Sequence, residues 1–155
     1  MAISVLLADD TSIIRHAIRG MLDSKRDLQV VGEAADFAET MRLIETIRPD
    51  IVIMDLHMPG EFKGKPAEVK SQLRKSSSLL LAISIWSDHD AQALADSFGA
   101  SKLLSKMDLA ETLTPTIVAL VESKRRRMAD RVALLRRRSS NVKRSSRLAH
   151  FHRGP

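Results

Sequence analysis

Five short apolar runs, spaced along the first two thirds of the chain, alternate with segments of helical spacing, and this alternation constrains the fold more than any other feature. The runs are Ala2 to Ala8, Leu28 to Val31, Ile51 to Met54, Leu79 to Ile85 and Lys102 to Leu104. Between them, Ile13, Ile14, Ala17, Ile18, Met21 and Leu22 recur at helical spacing, as do Asp36 to Ile47, the more polar Pro66 to Lys75, and Asp88 to Phe98. Strands that are apolar on both faces and separated by helices of 10 to 15 residues point to a parallel sheet, because parallel neighbours need a crossover and the crossover helices cover the faces. The spacing predicts a doubly wound α/β domain: five parallel strands with helices on both faces.

Proline and glycine mark the boundaries. Arg48-Pro49-Asp50 stops a helix ahead of the third strand, Met58-Pro59-Gly60 breaks the chain after it, and Gly99 ends the fourth helix. Thr114 before Pro115 reads as an N-cap and first-turn proline, so a last helix is expected to start there and, through Ile117, Val121, Met128, Val132 and Leu135, to reach about Arg138. Ser139 to Pro155 is rich in Ser, Arg and Lys without a sustained period, so disorder is expected. We find no internal repeat.

A chain of 155 residues suits one compact domain, and here the charge divides it unevenly. Residues 1–122 carry 13 Lys+Arg against 18 Asp+Glu, a net of −5, while residues 123–155 carry 12 against 1, a net of +11. The overall +6 therefore describes neither part, and any polyanion affinity belongs to the last fifth. There is no Cys, which excludes disulfides, thiolate zinc sites and thiol nucleophiles and suits a reducing cytoplasm. Apolar runs such as Leu79 to Ile83 are too short to span a bilayer, and Met1 to Asp10 lacks the features of an export signal.

In an open parallel sheet the working crevice lies outside the carboxyl ends of the strands. Asp9 and Asp10 end the first strand, Asp55 the third and Ser84 the fourth, and Lys106 lies just past the fifth, so all are expected to face one small space. Taken singly, each has an ordinary reading: a helix-capping acid pair, a loop acid, a strand-end hydroxyl, a surface lysine. Taken jointly, three carboxylates at close quarters repel one another and call for a cation. Mg²⁺, which takes hard oxygen ligands, fits an Asp-Asp-Asp set. A carboxylate can also attack phosphorus while metal and lysine neutralise the charge on the transferred group, so the chemistry implied is phosphoryl transfer.

With these residues in place, residues 2–122 closely resemble the receiver domain of bacterial two-component response regulators, a flavodoxin-like fold. The resemblance rests on Asp9-Asp10, on Ile51-Val-Ile-Met-Asp55-Leu-His-Met-Pro59 with Gly64 beyond it, on Ser84, and on Gly99-Ala100 leading to Leu103-Leu-Ser-Lys106. It implies that Asp55 is the phospho-acceptor, that Asp10, Asp55 and the backbone carbonyl of His57 bind Mg²⁺ directly, and that Asp9 holds the metal through water. Ser84 and Lys106 would contact the phosphoryl group, delivered from a phosphohistidine on a sensor histidine kinase. Partners would read the signal on the face of helix four, strand five and helix five, which is also where a homodimer would form. The chain would then be a signalling module that catalyses only its own phosphorylation and dephosphorylation, acting in the cytoplasm.

The sequence departs from the family at several points. Leu103 stands where an aromatic is usual, three positions before the lysine, and bulky Ile85-Trp86 follows the switch hydroxyl where a small residue is common. The loop from Asp55 to Gly64 is slightly long, and Ser87 is a second, weaker candidate hydroxyl. His57 has two readings, over the site or exposed to solvent; Trp86 likewise divides between packing and a partner surface. His16 and His89 carry no functional reading.

The segment before strand five and the Lys-Met-Asp stretch resemble receivers joined to a LuxR-type helix-turn-helix, but only 33 residues follow Glu122, about half of what that output domain needs. Those residues include Lys124-Arg-Arg-Arg127 and Arg136-Arg-Arg138, leaving open DNA binding through phosphates, an anionic membrane surface, or a solvated run. Self-association along Ile117 to Leu135 is a further reading. The rivals to a protein-directed phospho-switch are a transcriptional regulator, truncated or using its basic tail on DNA, and a metal-dependent phosphatase with the same Asp nucleophile.

Overall fold

The computed structural model describes residues 1–59 and 66–149, so Gly60, Gly64 and all the residues between them lie outside the described residues. The chain divides into two compact units, Met1–Val121 and Glu122–Pro155. In the first, β1 (Ile3–Ala8), β2 (Leu28–Ala34), β3 (Ile51–Asp55), β4 (Leu79–Ser84) and β5 (Lys102–Ser105) alternate with α1 (Ser12–Asp23), α2 (Phe37–Ile47), α3 (Pro66–Ser76) and α4 (His89–Phe98). All pairings are parallel, in the order β2-β1-β3-β4-β5.

The period-2 alternation of the strands sends successive side chains to opposite faces, and two cores result. Val5, Leu7, Ile51, Ile53, Leu81 and Ile83 pack on one face with Ile18 and Leu22 of α1. Leu6, Val52, Met54 and Leu80 pack on the other with Ile44 of α2, Val69 and Leu73 of α3 and Phe98 of α4. Helix ends follow local chemistry. Asp36 and Asp88 cap α2 and α4 by accepting the backbone N–H of Glu39 and Ala91. Gly99 closes α4 in the left-handed conformation that glycine adopts without steric penalty.

Strand β2 runs three residues further than its apolar core suggests. Its pairing with β1 shifts register between Val5 and Leu6, with Val30 opposite Val5 and Gly32 opposite Leu6, so Val31 is the extra residue of a bulge. The polar Gly-Glu continuation hides the strand from a hydrophobicity reading.

The last helix corrects the sequence expectation at both ends. This helix, α5 (Leu109–Ala149), begins at Leu109, not after Thr114, and Pro115 lies inside it. A proline there costs about 3 kcal/mol relative to alanine. Upstream of it, Leu109 and Leu113 are buried at 4% and 0% exposure, and burying two leucines is worth roughly 3 to 6 kcal/mol, which outweighs that cost. The Asp108 carbonyl, accepting from the N–H groups of Glu111 and Thr112 and from the Thr112 hydroxyl, anchors the first turn. At the other end the helix continues to Ala149, so Ser139–Ala149 is helical where disorder was expected. Between Thr116 and Arg153 there is neither Gly nor Pro, and Arg and Lys are good helix formers, so nothing in the composition stops propagation. Residues 150–155 lie outside the described residues.

Candidate phosphoryl-transfer site

Because every strand of the sheet points the same way, its carboxyl ends bring together residues up to 97 positions apart in sequence. Asp9, Asp10 and Asp55 each offer a carboxylate oxygen, and these oxygens all lie within 4.8 Å of one another. Asp9 and Asp55 are buried, at 1% and 4% exposure, while Asp10 faces solvent. The Lys106 ammonium donates to Asp9 Oδ2 at 2.6 Å and lies 3.2 Å from Asp55 Oδ2.

The two buried carboxylates are also fixed by backbone. Thr11 N–H donates to Asp9 Oδ1 at 2.8 Å, and His57 N–H donates to Asp55 Oδ1 at 3.0 Å. The acid pair does not cap α1; that position belongs to Thr11, which makes no side-chain cap bond. Arg15 reaches back from α1 to donate to the Asp9 carbonyl oxygen, and Asp9 N–H donates to the Ala34 carbonyl. The sequence reasoning did not single out Thr11 or Arg15. Arg15, one helical turn beyond Thr11, could have been found as a cation positioned to return to the end of the strand.

Ser84 is fully buried, and its hydroxyl accepts the backbone N–H of Trp86 at 3.2 Å. Lys106 N–H donates to the Ser84 carbonyl at 2.8 Å, tying the ends of β4 and β5 together. Ser87 is exposed, as are His16 and His89. His57 is exposed as well, and its ring stands edge-on to Trp86 with centroids 5.5 Å apart. Trp86 is 57% exposed, and with His57, Asp88, Asp90, Ala91 and Leu94 it lines a cleft of about 170 Å³. Leu103 is half-buried against the Leu6 and Phe98 core.

Burial is the largest influence on Asp55 and holds its carboxyl above the usual carboxylate range; the charge on Asp9 adds to this, while the His57 N–H and Lys106 oppose it without cancelling it. Burial likewise pulls the Lys106 ammonium down, but the hydrogen bond to Asp9 and the charges of Asp55 and Asp9 outweigh it, so Lys106 holds its proton more tightly than free lysine. Three carboxylates against one ammonium leave two negative charges uncompensated when all are ionised. That deficit, with an all-oxygen donor set, suits a hard divalent cation.

Comparison with known proteins identifies the family. Residues 5–117 match the response regulator receiver domain. The chain belongs to that family. It is 33% identical over 112 residues to the uncharacterized transcriptional regulatory protein YhcZ of Bacillus subtilis (strain 168), covering 72% of this chain and 52% of the relative. The transcriptional regulatory protein LiaR of the same organism is 31% identical over 117 residues, covering 76% and 55%. A solved LuxR-family two-component response regulator from Aurantimonas sp. SI85-9A1 superposes with a TM-score of 0.70 at 27% identity, covering 79% of this receiver chain and 87% of that chain. The receiver chain thus spans about half the length of the curated relatives it matches. Among its described residues, no helix is long and apolar enough to cross a membrane.

Proposed function

We propose that this receiver accepts a phosphoryl group on Asp55 from the phosphohistidine of a sensor histidine kinase and uses it to switch partner contacts. The observation that carries the reading is the Asp9–Lys106–Asp55 arrangement, in which a buried carboxylate sits 3.2 Å from an ammonium and within a cluster of two further acids.

The chain's own groups fit each part of the transfer. An Asp55 oxygen attacks phosphorus in line, an O–P bond forms, and the N–P bond to the donor imidazole breaks with its electron pair returning to nitrogen. Asp9, Asp10, Asp55 and the His57 backbone carbonyl would hold Mg²⁺, which when bound supplies charge neutralisation for the phosphoryl oxygens. Lys106 is already placed between Asp9 and Asp55 and follows the added charge. The His57 N–H keeps Asp55 oriented. Ser84 accepts from Trp86, so its own O–H is still available as a donor to a new phosphoryl oxygen.

Readout follows from the same bonds. A Ser84 hydroxyl drawn toward phosphate shifts the β4–α4 loop, and the Lys106 N–H to Ser84 carbonyl bond couples that loop to β5. The face of α4, β5 and the start of α5 is where we place partner contacts, a homodimer among them. With Leu103 in place of an aromatic, the readout depends on loop position rather than on rotation of a ring.

The test is intact mass after incubation with acetyl phosphate and Mg²⁺, or with a phosphorylated kinase where Ile85 and Trp86 exclude the small donor. One phosphate on the wild type and none on Asp55→Asn is the expected result. An unmodified wild type with both donors overturns the proposal.

A further inference from the structure

We infer that the helical segment Lys124–Arg138 is a second, independent functional element: a sequence-tolerant binder of duplex DNA. Within these 15 residues eight cations stand against one acid, Asp130, a net of +7. At 1.5 Å per residue the segment is about 22 Å long, so it carries one net positive charge per roughly 3 Å, against one phosphate per about 1.7 Å of duplex axis. Arg125 to Arg138 are all solvent-exposed, on a continuous helix that presents them in fixed rows.

The rows decide between occupants. At 100° per residue, Met128, Val132 and Leu135 form a narrow stripe, with Arg125 and Arg136 along one flank and Arg127, Arg131 and Arg138 along the other. A helix lying in the B-form major groove, about 12 Å wide, meets a phosphate wall on each side, and cations on both flanks match that arrangement. The narrow, deep major groove of duplex RNA does not admit a helix in this way. A bilayer surface favours one broad apolar face. Here Arg126 and Arg137 lie opposite the stripe, and Leu134, 53% exposed, falls away from it. A second copy paired along the stripe would set its flanking arginines against arginines, which like-charge repulsion disfavours.

The contacts are to phosphates, so affinity is expected to be similar for unrelated sequences and steep in salt. With about five phosphates neutralised, one for each flanking arginine, it falls roughly 500-fold between 50 and 200 mM KCl. The experiment uses the whole chain and fluorescence anisotropy with two unrelated 24-bp DNA duplexes, a 24-bp RNA duplex, and vesicles of phosphatidylserine and phosphatidylcholine. The expected result is binding of both DNA duplexes with that salt slope, weaker binding of RNA, and at least 100-fold loss in the quadruple variant Arg131→Gln, Arg136→Gln, Arg137→Gln and Arg138→Gln at 100 mM KCl. Far-UV circular dichroism and phosphate uptake unchanged in that variant show that folding and the receiver site are intact. No DNA binding at 50 mM KCl overturns the inference. So does undiminished binding by the quadruple variant, tighter binding to RNA or vesicles than to DNA, or loss of binding in Met128→Ser with Leu135→Ser as great as in the charge variant.

Discussion

Lys106 is held more closely by Asp9 than by Asp55, at 2.6 Å against 3.2 Å. The ammonium is therefore engaged before any phosphoryl group arrives, and its nearer partner is the acid that does not react in the proposed transfer. An Asp55 that shares its cation with Asp9 keeps an open claim on added positive charge. The raised proton affinity of Asp55, due first to burial, reflects the same shortage.

Replacing Lys106 with Ala leaves two buried carboxylates without their ammonium. At neutral pH, with divalent cations chelated, we expect a loss of stability on the order of 3 kcal/mol in urea denaturation. Millimolar Mg²⁺ should recover part of it. Lys106→Arg should not restore phosphate uptake fully, because a guanidinium is bulkier than an ammonium and presents its donors in a fixed planar fork instead of as a compact point charge.

Asp55 gives a pH dependence with a definite sign. Its folded-state carboxyl binds a proton more tightly than in the unfolded chain, so the native state is penalised as pH rises above the unfolded value of about 4, with the full penalty present once pH exceeds the folded value. In chelator, Asp55→Asn should therefore have a higher Tm than wild type at pH 7, and the gap should close as pH falls toward 4. A gap independent of pH would contradict the burial argument.

Gly32 follows the bulge in β2 and pairs with Leu6, and a Cβ there would meet Ile47 Cδ1 at 3.0 Å and Leu6 Cδ1 at 3.2 Å. Both neighbours belong to the packed side of the sheet, so Gly32→Ala should destabilise by about 1 to 2 kcal/mol through overpacking, read as a shift in urea midpoint at constant m-value.

Pro115 lacks the N–H that a residue in the body of α5 would donate. Pro115→Ala should raise stability by roughly 1 to 2 kcal/mol, less than the intrinsic helix penalty because the unfolded chain regains freedom. A lower Tm in this variant would show that the proline ring is needed for packing.

Trp86, the sole tryptophan, has its ring edge-on to His57 and donates its backbone N–H to the Ser84 hydroxyl. If Ser84 turns toward a phosphoryl group on Asp55, Trp86 emission should change on phosphorylation, and Asp55→Asn should stay silent. His57→Ala should alter the basal emission while leaving the phosphorylation response in place.

The sequence by itself determined the order and type of the first nine elements, because short continuous apolar runs alternating with segments of 3.6-residue apolar period have few other solutions. It also placed Asp9, Asp10, Asp55, Ser84 and Lys106 at strand ends, since parallel topology assigns those ends to one side. Only the tertiary structure decided what local pattern could not. It made Lys106 the partner of Asp9 first, and it drew Thr11 and Arg15 into the support of that acid. It extended β2 through a bulge, which depends on its pairing with β1. It also buried Leu109 and Leu113, which carries α5 through a proline that reads locally as a helix start. The physical reason is common to all of these: proximity across 97 residues and burial against a distant strand are properties of the packed chain, whereas period and turn chemistry are properties of its neighbours in sequence.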